Sequence, residues 1–232
     1  MNKRVRESGL GYLTGCTALS IIITLYLIFI YVPTERTMGI VQRIFYFHLP
    51  SAWVAFLAFL VAFAAGIAYL LQRKPRWDMM ELASVELGTL FSTIAIVTGS
   101  IWARPIWNTW WTWDPRLTST LVMWLYYSAS LMLRRTVEDP DRGARFGAVL
   151  SIVGFVNVPV VFLAIRLWRT IHPVLISRDK GLAMEPSMVL TLGASLVAFT
   201  LLYVCLLMIR MRAEYLRQKL DQLEQLVGSA CV

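Results

Sequence analysis

Six long apolar stretches, at residues 10–32, 51–71, 82–103, 117–133, 147–165 and 188–209, leave this chain few folds to choose from. Each is near the roughly 20 residues that a helix needs to cross a hydrocarbon core. Backbone N–H and C=O groups find no water there and must pair within their own segment, so the segments must be helices. The aliphatic runs show no period-two alternation, which argues against a β-barrel. The predicted fold is therefore all-α, an integral membrane bundle of six transmembrane helices. Composition agrees: of 232 residues, 58% are hydrophobic and 16% charged, against about 25% charged in soluble domains. That balance excludes a cytosolic enzyme, a disordered tail and a secreted disulfide scaffold. The first span follows Lys3, Arg4 and Arg6, as a signal peptide would. Its apolar run is too long, however, and no small-residue cleavage site closes it.

With six spans both termini fall on one side. That side carries 14 of the 22 basic side chains, so the positive-inside rule makes the termini cytoplasmic. The outer loops still hold Arg36, Arg43, Arg104, Arg116, Arg166, Arg169, Arg178 and Lys180 against Glu35, Asp114, Asp179 and Glu185. Half of the net charge of +8 thus faces outward. This is no nucleic-acid signature; an outward cationic rim suits a dianionic ligand.

Cys16 and Cys205 lie in spans and Cys231 in the tail, with no C-x-x-C, C-x-x-C-H or zinc spacing. That excludes thiol redox chemistry of the usual motif type and covalent c-type haem. No G-x-x-x-x-G-K-[ST] phosphate loop is present. Ionisable residues within the spans are nearly absent, which weighs against a proton-coupled transporter. Glu86, near the inner face, reads as a packed interfacial carboxylate. Asn157 and Pro159 are expected to kink the fifth span.

The outer loop 104–116, read with the preceding Trp102-Ala103, holds five of the nine tryptophans: Trp102, Trp107, Trp110, Trp111 and Trp113. An aromatic belt spreads tryptophan over all helix ends; this loop concentrates it. Such a cluster offers flat apolar faces with indole N–H donors at their edges, suited to a large planar ligand. The two histidines, His48 and His172, also fall in outer segments, each beside a proline, with Pro50 and Ser51 read as the start of the second helix. Two imidazoles without cysteine make a poor closed zinc site but match the two axial positions of haem iron. The outer arginines then offer bidentate partners for two propionates. Asp114 is open to three roles: capping a helix, orienting an arginine or touching the ligand.

On these residues the chain resembles a known family. Trp107-Asn108-Thr109-Trp110-Trp111-Thr112-Trp113-Asp114-Pro115-Arg116 is similar to the tryptophan-rich WWD signature of haem-handling proteins in cytochrome c-type biogenesis. Arg43-Ile44-Phe45-Tyr46-Phe47-His48-Leu49-Pro50 resembles the first histidine motif of the CcmC family, and Gly154–Pro159 with His172-Pro173 its second. Length and span count fit that family across nearly the whole chain. The resemblance implies that His48 and His172 are axial ligands of non-covalent haem b in transit. It also implies that Trp107, Trp110, Trp111, Trp113, Asp114 and Arg116, with Arg43 and Arg104, surround the porphyrin. The implied setting is the periplasmic face of the bacterial inner membrane, where haem passes to the haem chaperone CcmE. The implied partners are an ABC-type ATPase, a permease and a small membrane subunit (CcmA, CcmB, CcmD), besides membrane lipid and no nucleic acid. Asn108 departs from the family, which has glycine there; asparagine tolerates positive φ better than most residues.

The expected role is haem presentation, not conventional enzymology. The competing readings are a cytochrome b-like electron-transfer protein and a haem permease subunit. Residues 1–209 form the expected haem-handling domain and 210–232 a cytoplasmic tail. In that tail Leu216, Leu220, Leu223 and Val227 make one apolar stripe. The stripe fits an amphipathic helix on the leaflet or a partner, or a solvated extension of the last span.

Overall fold

Prolines set the starting points of four helices. The computed structural model describes residues 3–168, 176–177, 181–182 and 184–230. Helix α1 covers Lys3–Tyr26 and ends in a π-turn at Leu27–Tyr31, and a 3-10 turn at Ile40–Ile44 leads into α2, Phe45–Gln72. Helices α3 (Pro75–Trp107), α4 (Pro115–Arg135), α5 (Pro140–Phe155) and α7 (Pro186–Ala230) all open on proline, with α6 at Asn157–Leu167. Proline is pre-shaped for the first helical position, where its missing N–H has no partner to lose. Asp114 and Asp139 reinforce two of these starts by accepting the first free amides of α4 and α5. Among the described residues the strands form a two-residue antiparallel pairing, β1 (Ile176–Ser177) with β2 (Gly181–Leu182).

Five stretches are long and apolar enough to cross a membrane: Gly9–Tyr31, Ile40–Gln72, Pro75–Trp107, Pro140–Ala164 and Pro186–Glu224. The chain is a multi-pass membrane protein. Helix α4 occupies the place of the expected fourth span and, at 21 residues, is about 31 Å long. It is less apolar than the other five, because Arg116 and the hydroxyls of Ser119, Thr120, Ser128 and Ser130 dilute it. The expected kink is present: α5 and α6 break at Val156, ahead of Pro159. Asn157 spends its amide on the Ser119 carbonyl of α4, 3.2 Å away.

The core lies along α2. Val54, Ala58, Phe59 and Ala62 are fully buried against α3, α4, α6 and α7. Phe59 stacks on Tyr127, with ring centroids 3.8 Å apart and planes 6° from parallel, and a Cβ at Gly88 would press into its ring at 2.6 Å. Polar side chains tie the helices where hydrophobic association has little force. Ser84 meets Tyr203 at 3.1 Å, Trp124 donates to Thr93 at 2.7 Å, and Trp53 donates to Thr200 at 3.1 Å. Helix α1 leans mainly on α7 and, with its π-turn, leaves Tyr12, Ile22 and Ile30 exposed, as a lipid-facing surface would be.

Helix α7 runs unbroken for 45 residues, about 68 Å. The tail thus continues the helix of the last span. Leu216, Leu220, Leu223 and Val227 are each more than half exposed. Truncation after residue 215 is expected to leave the denaturation midpoint in detergent within about 0.5 kcal/mol of the full chain. A larger drop would mean that the stripe is buried in the folded protein.

Candidate functional site

The site sits where the start of α2 meets the end of α3. His48 lies inside α2 and not in a loop before it, because the helix begins at Phe45 and Pro50 is accommodated within it. Tertiary packing overrides the local start signal: Phe45 and Tyr46 are buried, Phe45 against Trp102 with centroids 5.9 Å apart. Helix α3 likewise runs on through Pro105 to Trp107, so Trp102, Arg104 and Trp107 are helical. The tryptophan-rich loop is confined to residues 108–114.

That loop is shaped by its own polar groups. Asn108 ends α3 in the left-handed region, φ 53° and ψ 26°, a conformation that asparagine tolerates better than most residues. Arg104 donates to the Asn108 carbonyl at 2.8 Å. Ser100 donates to the Trp110 carbonyl at 2.6 Å and folds the loop back on α3. Thr109 donates to the Trp111 carbonyl at 2.9 Å. Asp114 caps α4: one oxygen accepts the amides of Arg116 and Leu117 at 3.0 and 3.2 Å, the other the Thr112 hydroxyl at 3.0 Å. Asn108→Gly is expected to stay within about 1 kcal/mol of the parent. Asn108→Val, forced into the left-handed region, is expected to destabilise by about 1–2 kcal/mol. Chemical denaturation in detergent checks both, and equal stability of the two variants would contradict the turn geometry.

These elements line a cleft that is partly open to the surroundings. His48, Ala52 and Phe56 of α2 form one wall, and Gly99, Ser100, Trp102 and Trp107 of α3 another. Trp110 and Trp111 close it from the loop, Arg116 and Thr120 from α4, and Val161 from α6. The His48 Nδ1 lies 2.9 Å from the Ala95 carbonyl oxygen. A carbonyl only accepts, so Nδ1 carries the proton and Nε2 keeps its lone pair, the form that binds metal. Trp102 stands beside the imidazole, with centroids 6.0 Å apart, and is packed edge-on by Trp107. The buried indole nitrogens of Trp102 and Trp111 find no acceptor among the described residues, so they are free to donate to a ligand.

Of the residues singled out from the sequence, His48, Trp107, Trp110, Trp111 and Arg116 line this cleft. Trp113 is largely exposed and packs edge-on against Trp111. Asp114 and Arg104 shape the loop, and Arg43 stands off the cleft with its guanidinium 5.8 Å from the Phe29 ring centroid. His172 and Arg169 lie outside the described residues. Among the described residues no cluster of three or more His, Cys, Asp or Glu could hold a metal ion. Glu35, in the segment before α2, caps a turn; the Met38 amide, first among its donors, holds its carboxyl below the usual range. Glu86 is the packed carboxylate expected, gripped by Arg210 through Nε at 2.6 Å and Nη2 at 3.0 Å.

Trp102 and Gly99 belong to the cleft although they were not among the candidates. Trp102 was legible as one of the five clustered tryptophans; Gly99 offered only a glycine inside an apolar helix. Fold and site together define a multi-pass helical membrane protein with an imidazole set in a tryptophan-lined cleft at one end of its bundle. The family model described as Heme exporter protein C (CcmC) matches residues 2–226. Curated relatives agree. Heme exporter protein C of Bradyrhizobium diazoefficiens is 35% identical over 95% of this chain and 84% of its own length. That of Escherichia coli K12 is 34% identical over 78% and 74%. A putative ccmC-like mitochondrial protein of cytochrome c biosynthesis from Marchantia polymorpha is 27% identical over 70% and 67%. The chain belongs to the Heme exporter protein C family.

Proposed function

We propose that this protein binds haem b without a covalent bond at the outer face of the bacterial inner membrane and presents it to the haem chaperone CcmE for cytochrome c maturation. The cleft carries this reading: an imidazole with an uncommitted Nε2 faces tryptophan surfaces, two unpaired indole N–H donors and the Arg116 guanidinium in one space. Each part answers a part of haem. Iron takes imidazole nitrogen, indole faces take the porphyrin plane, and N–H donors with a guanidinium take propionate. His48 supplies one axial ligand and His172 the other. Trp110 and Trp113, the most exposed of the cluster, hold the rim from which the haem leaves. Asp114, Arg104 and Arg43 act at one remove, through the loop and the cationic surroundings.

All six long helical segments cross the membrane, α4 included, which puts both termini and the extension of α7 in the cytoplasm and the cleft in the periplasm. The greater number of basic residues on the terminal side supports this orientation. The chain has no phosphate loop, so ATP hydrolysis belongs to the partner ATPase CcmA of an ABC-type complex that also holds CcmB and CcmD. Haem-loaded protein in detergent, mixed with the soluble domain of CcmE, is expected to lose its haem to the chaperone. Haem retained by this chain at equilibrium with excess chaperone would contradict delivery.

A further inference from the structure

We infer that one turn of α3, Ala95 to Gly99, is a seat that sets both the position and the tautomer of His48, with Gly99 as a positioning residue. The inference rests on the proposed role of His48 as an iron ligand. A Cβ built on Gly99 would lie 2.9 Å from Cε1 and 3.3 Å from Nδ1 of His48, closer than packed side chains accept. Only hydrogen at that position lets the imidazole lie against the α3 backbone. The same turn supplies the polar partner: the Ala95 carbonyl oxygen sits 2.9 Å from Nδ1 and the Thr98 hydroxyl 3.3 Å from it. Thr98 is itself anchored, donating to the Ile94 carbonyl at 2.7 Å. A side chain at position 99 would push the ring off the carbonyl. Nδ1 would then lose its acceptor, and the tautomer with the proton on Nε2, which leaves no lone pair on that nitrogen for iron, would become populated.

Glycine is not needed for the helix as such. Gly193, in α7, has open space where a Cβ would be, and glycine inside a helix is less favourable than alanine. At position 99 the demand comes from the imidazole. Second-sphere hydrogen bonds of this kind fix ring orientation and raise ligand basicity, and their loss weakens metal binding by about 10–100-fold.

The test uses the full chain in detergent, loaded with haem. Gly193→Ala is expected to match the parent in its axial-ligand spectrum. Gly99→Ala is expected to show the spectrum of His48→Ala and to hold haem at least about tenfold more weakly. A parental spectrum and affinity for Gly99→Ala would overturn the seat. A parental spectrum for His48→Ala would instead overturn the ligand assignment beneath it. If Gly99→Ala does not fold, His48→Gly supplied with free base decides the matter. Imidazole is expected to restore the axial signature at about tenfold lower concentration than 1-methylimidazole, which has the ligating nitrogen but no N–H for the Ala95 carbonyl. Equal concentrations would overturn the seat.

Discussion

Arg134→Met is expected to destabilise the bundle by about 3–5 kcal/mol, read as a lowered denaturation midpoint in detergent. Arg134, on α4, reaches across to α3 and places Nη1 2.6 Å from Glu81 Oε2 and Nη2 2.5 Å from Asp78 Oδ1. Glu81 is 3% exposed, and its other oxygen accepts the Ser151 hydroxyl of α5. The two carboxylates lie about one turn apart on one helix face. Without the guanidinium they would be two like charges, nearly buried, with no counter-ion. Gly147 of α5 makes room for the fork, since a Cβ there would run into Arg134 Nη1. Arg134→Lys is expected to recover only part of the loss, because one ammonium cannot bridge both carboxylates as a planar fork does. The triple variant Arg134→Met, Asp78→Asn, Glu81→Gln is expected to recover most of it by removing the stranded charges. A parental midpoint for Arg134→Met alone would show that the network does not hold the α3, α4 and α5 ends together.

His48→Ala is expected to lower haem retention on the order of a hundredfold while leaving the fold intact. The outer partners of a metal ligand are each worth about 10–100-fold, and removing the ligand itself loses no less. The fold should tolerate the change because the ring's partner, the Ala95 carbonyl, belongs to helix α3 and keeps a place in its hydrogen-bond ladder. The Trp102 and Trp111 indoles and Arg116 remain, so weak binding without iron ligation is expected to persist. Haem titration followed by size-exclusion chromatography measures the retention. Parental retention with a parental melt would place the iron ligand elsewhere.

The spans were legible because hydrocarbon thickness imposes a length that composition alone reveals. Capping is one of the three roles that the sequence leaves open for Asp114, and the structure has it starting α4; the turn out of α3 at Asn108 is likewise made by groups within a few residues. What depends on distant partners was not legible. The start of α2 at Phe45 comes from Phe45 and Tyr46 burying themselves near Trp102, which moves His48 from a loop onto a helix. Asp78, Glu81 and Arg134 lie just outside the apolar stretches 82–103 and 117–133, where hydropathy marks no pairing. The paired residues are 53 and 56 positions apart in sequence. Gly99 matters only through an imidazole 51 positions earlier, so no local pattern marks it.

The helical position of His48 removes one contrast with electron-transfer cytochromes, whose histidine ligands usually lie in helices. A stronger contrast remains. The sequence holds two histidines in all, and His48 packs on the later part of α3, at Ala95 and Thr98, away from Asp78, Glu81 and Glu86 near the start of that helix, which pair with Arg134 of α4 and Arg210 of α7. One haem at one surface fits presentation better than transfer across the membrane.

The most direct test is the optical and magnetic spectrum of haem bound to purified protein, compared with that of the double variant His48→Ala, His172→Ala. The parent is expected to show haem held by two imidazoles, and the double variant to lose that signature and most of its haem. An unchanged axial-ligand signature in the double variant would contradict the assignment of both histidines.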